Sequence, residues 1–149
     1  LLASSAASDV YKRQDYIERG GYTLAECGGM MYLTSVLITG TDTRMEYNMA
    51  GVLPVKVSAF KGDMHLSLGY RSFELRGMKI RGHEFHYSQV IESDEELISA
   101  AQVYNAKGQP VNTPVYHYKN LIASYTHLYW GETGFMGLFE PAPGDPVLF

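Results

Sequence analysis

Apolar and polar positions divide the chain into a short helical start and a long succession of strand-like runs. Asp15 to Gly21 reads as the tail of a helix closed by Gly20-Gly21, and Tyr22 to Glu26 as a short strand. From Gly28 the apolar residues Met30, Met31, Leu33, Leu37 and Ile38 follow helical spacing until Gly40, which predicts a helix over 28–38. Thr41 to Asn48 is polar and reads as a loop. Val52 to Phe60 then alternates as a strand, with Lys61-Gly62-Asp63 as a turn and Met64 to Leu75 as its hairpin partner. Ile80 to Val90 predicts another strand, and the acidic Glu92 to Glu96 a solvated loop or helix start. Two further β runs, Ser99 to Asn105 and Val111 to Tyr118, flank the turn-like Lys107-Gly108-Gln109-Pro110. The last apolar stretch, Leu121 to Trp130, leads into a Gly- and Pro-rich tail. The C-terminal half is therefore β-rich, without internal repeat or linker.

The first fourteen residues differ from the rest. They are Ala/Ser-rich, lack a sustained period and lack the order of a signal peptide, so 1–14 reads as a non-native leader and 15–149 as one partial domain. The composition, 46% hydrophobic and 19% charged over 149 residues, suits one globular domain. A net charge of −4 without clustered Lys or Arg argues against a nucleic-acid partner. The single cysteine permits no internal disulfide and no apolar run approaches the ~20 residues of a membrane span, so the expected location is the cytoplasm.

Ala25-Glu26-Cys27-Gly28-Gly29 carries that cysteine at the join of a strand and a helix. Small residues two before and two after it match the logic of a nucleophile elbow, where a sharp turn exposes the reactive group and crowding excludes larger neighbours. Unpaired amides at a helix N-terminus lower a thiol's pKa there. A buried cysteine acting as a small hydrophobe satisfies the same local pattern.

A thiol nucleophile needs a base, and the histidines are His65, His83, His86, His117 and His127. In Arg81-Gly82-His83-Glu84-Phe85-His86-Tyr87-Ser88 the two histidines are three apart. On a strand they face opposite sides, which disfavours a shared zinc ion, whereas Glu84 and His86 share a face and together address a small polar ligand. His127, in Ala123-Ser124-Tyr125-Thr126-His127-Leu128-Tyr129, closes a late strand, where open α/β sheets gather reactive groups. No G-x-x-x-x-G-K-[ST] segment occurs, so the chain carries no phosphate-binding loop for ATP.

Taken in order, the segments 25–33, 81–88 and 123–129, with Val52-Leu53-Pro54 and Leu68-Gly69-Tyr70-Arg71 between the first two, resemble the C-terminal glutamine amidotransferase domain of the cobyrinic acid a,c-diamide synthases of cobalamin biosynthesis. The resemblance runs from about residue 15 to about 130. It implies an α/β, class I glutamine amidotransferase-like (flavodoxin-like) open sheet, incomplete at its N-terminus. It implies Cys27 as the nucleophile attacking the glutamine side-chain amide and His127 as its base. The elbow makes the Gly28 backbone N–H an oxyanion donor, and His83, Glu84 and His86 fall near a glutamine pocket. The resemblance also implies an N-terminal amidoligase domain as partner, which would use ATP and Mg²⁺ on a corrinoid acceptor; no cofactor is expected in this piece.

Three departures accompany it: no ATP domain, no leading strands with a second oxyanion loop, and Tyr129 where many amidotransferases carry a glutamate. Loss of leading strands would expose a sheet edge and lower stability. A hydrogenobyrinic acid or nickel-sirohydrochlorin amidase, a cysteine hydrolase with the same elbow, and a non-catalytic domain of the same fold are the competing readings.

Overall fold

The computed structural model describes residues 2–132 and 134–139. Helix α1 spans Leu2–Glu18 and takes in most of the Ala/Ser-rich first fourteen residues. Its end follows the sequence expectation. Gly20 sits at φ 83, the Gly20 N–H donates to the Ile17 carbonyl (2.9 Å), and the Gly21 N–H donates to the Tyr16 carbonyl (2.9 Å). This is a Schellman closure, for which a residue without Cβ is preferred. Ile17 is buried and Val10 packs partly against the same core.

The strands β1 (Thr23–Glu26), β2 (Thr34–Thr39), β3 (Met45–Asn48), β4 (Leu53–Ser58), β5 (Ser67–Leu75), β6 (Met78–His86), β7 (Gln89–Ser93), β8 (Val103–Asn105), β9 (Pro110–Val111), β10 (Val115–Tyr118), β11 (Leu121–Ser124) and β12 (His127–Leu128) form three sheets. Their orders are β1-β11-β10, β12-β6-β5-β8-β9 and β3-β2-β4-β7. Among the described residues, only β1–β11 and β2–β4 pair in parallel. One apolar core joins α1, the 25–33 segment and β4 to β11; a second joins β5, β6 and Ile122 to Leu138 and Phe139. The longest ladder is β5–β6, with Leu75 opposite Met78. Arg76 (φ 52) and Gly77 (φ 74) form its two-residue turn, the left-handed geometry that matches strand twist.

Several sequence expectations are corrected. The helix after Cys27, α2, ends at Leu33, and Thr34 to Thr39 is strand β2. Thr34, Val36, Ile38 and Thr39 are β-branched and favour the pleated strand once β3 and β4 flank them. Part of the expected 41–48 loop is β3, an exposed edge strand whose apolar alternation, Met45 and Tyr47, is only four residues long. The 52–60 and 64–75 runs do not pair as a hairpin. Residues Lys61–Asp63 form a 3-10 turn, β4 joins β2 and β7, and β5 joins β6 and β8 in another sheet. The 80–90 run breaks at Tyr87-Ser88, where the chain passes from one sheet to another. The 111–118 run is likewise divided into β9 and β10, and the 99–105 run is a strand only from Val103.

Candidate active site

Cys27 stands between β1 and α2 (Gly28–Leu33) with φ 48 and ψ −107. A non-glycine residue pays roughly 1–3 kcal/mol for such a sparsely populated conformation, and the cost is tolerated where the surroundings over-determine it. Two bonds do so here: the Cys27 N–H donates to the Ser124 carbonyl (2.8 Å), and the Cys27 carbonyl accepts from the Met31 N–H (3.0 Å). The strand-turn-helix elbow read from the sequence is therefore present.

Two of the reasons given for it need correcting. A Cβ built on Gly28 would meet nothing within 4 Å, and one on Gly29 would make only ordinary contact with the Ala25 methyl (3.8 Å), so crowding does not impose the glycines. Nor is the thiol acidified by a helix N-terminus. Burial pushes the Cys27 thiol up; a bond from the Gly28 N–H pulls it back in part, and the charge of Glu84 raises it further. A six-residue helix has a small dipole, and half-burial outweighs it. The thiol needs a base, and the Gly28 N–H lies against its sulfur.

His127 follows β11 as Cys27 follows β1. The two strands are neighbours in parallel, with Glu26 opposite Ser124, so both residues lie beyond the carboxyl ends of adjacent strands. Among the described residues no hydrogen bond joins His127 to the Cys27 sulfur. The His127 ring stacks instead on His83, its cross-strand partner, with centroids 5.3 Å apart, and His83 also lies against Tyr129 (5.9 Å).

The alternation of β6 sends Glu84 and His86 to the other face, as the spacing requires, and both are buried. His83 is thus separated from the two residues grouped with it in the sequence. Glu84 is fully buried. Its Oε2 pairs with Arg71 Nε (3.0 Å), lies 3.5 Å from His86 Nε2, and accepts from the hydroxyls of Ser67 (2.9 Å) and Thr113 (3.1 Å). Its Oε1 accepts from Thr126 (3.1 Å). Burial alone would raise its pKa; the bonds from His86, Ser67 and Thr113, with the Arg71 charge, overcome that and hold it at about 2. Glu84 is therefore ionised at neutral pH and fully engaged.

His86 stacks face to face on Tyr125 (3.7 Å, 8°), and its Nδ1 lies 2.9 Å from the Ser88 carbonyl. The Ser88 hydroxyl meets the Tyr125 hydroxyl (3.0 Å) and the Met31 sulfur (3.2 Å). Burial pushes the Tyr125 hydroxyl up to about 12, so it stays neutral. Arg71, His86, Gln89, Thr113, Tyr116 and Tyr125 face a cavity of about 540 Å³, within the usual size of small-molecule sites. Neither Cys27 nor His127 lines it. Sequence reasoning gave no role to Arg71, Ser88, Tyr125 or Thr126 although all lie inside the quoted segments, and nothing in the sequence pointed to Thr113. No group of three His, Cys, Asp or Glu among the described residues is arranged to hold a metal.

The profile of the CobB/CobQ-like glutamine amidotransferase domain matches residues 4–135. The chain is 38% identical over 126 residues to the cobyrinate a,c-diamide synthase of Priestia megaterium, covering 78% of this chain and 26% of that protein. It is 35% identical over 122 residues to the cobyrinate a,c-diamide synthase of Thermoplasma volcanium, covering 76% and 25%. It is 37% identical over 107 residues to the hydrogenobyrinate a,c-diamide synthase of Stutzerimonas stutzeri, covering 71% and 23%. The chain thus spans about a quarter of the length of these relatives. A crystal structure of a glutamine amidotransferase superposes with a TM-score of 0.52 at 18% identity, over 79% of this chain and 58% of that one.

Proposed function

The chain belongs to the CobB/CobQ-like glutamine amidotransferase domain family, and from that premise we propose that it is the glutaminase part of an ATP-dependent cobyrinic acid a,c-diamide synthase, with Cys27 as nucleophile and His127 as base. The observation that carries this reading is the conformation of Cys27, a non-glycine residue held at φ 48 and ψ −107 between a strand and a helix.

In the proposed reaction, His127 takes the thiol proton, which burial otherwise retains on the sulfur. The sulfur attacks the side-chain amide carbon of glutamine, and the Gly28 N–H stabilises the oxyanion that forms. Collapse of that intermediate breaks the C–N bond, and the amide nitrogen leaves as ammonia with the proton returned by His127. Water, deprotonated by the same imidazole, then hydrolyses the glutamyl thioester, giving glutamate and free thiol. His86 lines the cavity beside Tyr125, and Glu84 holds it in place; because neither Cys27 nor His127 lines that cavity, these two residues are proposed to support the glutamine pocket from its far side. His83 sits on the opposite face, stacked on the base.

Ammonia would pass to the a and c carboxylates of the corrinoid, activated by ATP and Mg²⁺ in a proposed amidoligase domain of a longer polypeptide. The residues here do not fit ATP, since no phosphate-binding loop occurs in the sequence. Similarity to a hydrogenobyrinate a,c-diamide synthase favours hydrogenobyrinic acid as the second acceptor to test. No helix among the described residues is long and apolar enough to cross a membrane, and the reducing cytoplasm suits a lone catalytic thiol.

An electrophilic glutamine analogue tests the reading in the full-length polypeptide. It is expected to label Cys27 stoichiometrically and to block glutamine-dependent but not ammonia-dependent amidation. Labelling elsewhere, or full glutaminase activity in Cys27→Ser, would sink the proposal.

A further inference from the structure

We infer that Glu26 is a positioning residue that fastens the segment carrying His127 to the nucleophile elbow. Glu26 is the last residue of β1, directly before Cys27, and β1 is the edge of its sheet. β12, which carries His127, is the edge of a different sheet. The two elements that supply nucleophile and base therefore share no strand ladder. Beyond the β1–β11 ladder and the short run from Ser124 to His127, their relative placement depends on what bridges the two edges.

Glu26 supplies such a bridge. Along β12 backbone amides alternate in direction: the Tyr129 N–H donates inward to the Arg81 carbonyl on β6 (2.9 Å), and the Leu128 N–H points to the open edge. Glu26 Oε1 accepts that outward Leu128 N–H at 2.9 Å and also accepts from the Trp130 indole Nε1 at 3.2 Å. A carboxylate that accepts N–H donors from the residues on either side of Tyr129 is a charge-assisted clamp on the segment that follows His127. It satisfies an edge amide that would otherwise need water. Register explains why Glu26 and no neighbour does this. Glu26 lies opposite Ser124, and residues 125 and 126 then carry the chain from β11 to His127. A side chain four atoms long from position 26 reaches residues 128 and 130, whereas Cys27 has already turned into the elbow.

The role in catalysis rests on the proposed Cys27–His127 pair. The clamp itself does not, and the test separates the two. Trp130 is the single tryptophan of these 149 residues, so emission measured on this chain by itself reports the contact directly, and kcat is measured separately in the full-length polypeptide. Glu26→Ala is expected to shift that emission, to lower glutaminase kcat in the full-length polypeptide by about 10- to 100-fold, and to leave KM for glutamine within about 3-fold. Glu26→Gln keeps an acceptor oxygen and is expected to restore most of kcat. Trp130→Phe, which removes one donor at an exposed position, is expected to lower kcat about 3-fold and to add little to Glu26→Ala. Unchanged tryptophan emission in Glu26→Ala would overturn the clamp. Changed emission with wild-type kcat, or Glu26→Gln as impaired as Glu26→Ala, would overturn the positioning role. Glutaminase activity that survives Cys27→Ser would remove the catalytic premise and leave the emission result standing.

Discussion

Replacing Glu84 by Gln removes one charge from a fully buried carboxylate that pairs with Arg71, itself 8% exposed. Two quantities follow from the geometry. At neutral pH the variant strands the Arg71 guanidinium without its counter-charge, a change that costs about 3–5 kcal/mol for a buried pair. A small domain has about 5–15 kcal/mol in total, so the loss is a large share. The second quantity is a pH dependence. Glu84 is held at about 2 in the folded protein against 4.5 for the free group. A depressed carboxyl stabilises the fold above the unfolded value, so the contribution, about 3 kcal/mol, is complete above pH 4.5 and fades as pH falls toward 2. Between those limits the wild type loses up to about 1.4 kcal/mol per pH unit through this group. Urea unfolding followed by circular dichroism at pH 7, 5, 4, 3 and 2 measures both. Other carboxylates titrate in the same range, so the informative quantity is the gap between wild type and Glu84→Gln. It is expected to narrow by about 3 kcal/mol from pH 5 to pH 2. Parallel curves, or a variant within 1 kcal/mol of wild type at pH 7, would refute the assignment of Glu84 as the electrostatic centre of this face.

Alkylation of Cys27 by a neutral reagent such as iodoacetamide is expected to keep rising with pH beyond ~8.5, the ordinary thiol value, because burial holds the proton on the sulfur; a plateau below pH 7 would contradict that cause. Gly82→Ala would drive a methyl into the His127 carbonyl and the Thr126 methyl, prising β12 from β6. Glutaminase kcat is expected to fall more than tenfold with a drop of several degrees in Tm; wild-type kcat would show that the β6–β12 contact does not matter. Tyr125→Phe leaves the buried Ser88 hydroxyl with only the Met31 sulfur, at about 1–2 kcal/mol in urea unfolding. Ser88→Ala in the same chain is expected to cost less than the sum of the two single changes, and strict additivity would count against the contact.

The sequence by itself determined the elements whose cause is local. Gly20 closes α1 because the chain needs a positive φ there, and β5 and β6 alternate because one face of each is buried. The elbow at Cys27 was legible from its neighbours, and the separation of His83 from His86 from the two-residue period of a strand. The family was legible too, because three segments in order carry far more information than one motif. Pairing was not legible. The run from 80 to 90 has no clean apolar alternation in which a change of sheet at Tyr87-Ser88 would show, and in β3 the alternation of Met45 and Tyr47 with Glu46 and Asn48 lasts only four residues, all of them exposed. Electrostatics was not legible either, since desolvation depends on what surrounds a group in space: Cys27 is raised where a helix end suggested the reverse, and Glu84 draws partners from three other stretches of chain, Ser67 and Arg71 on β5, Thr113, and Thr126. Glu26 shows the limit most plainly. It stood in view beside the cysteine, but its two donors lie 102 and 104 residues away, and only folding brings them to it.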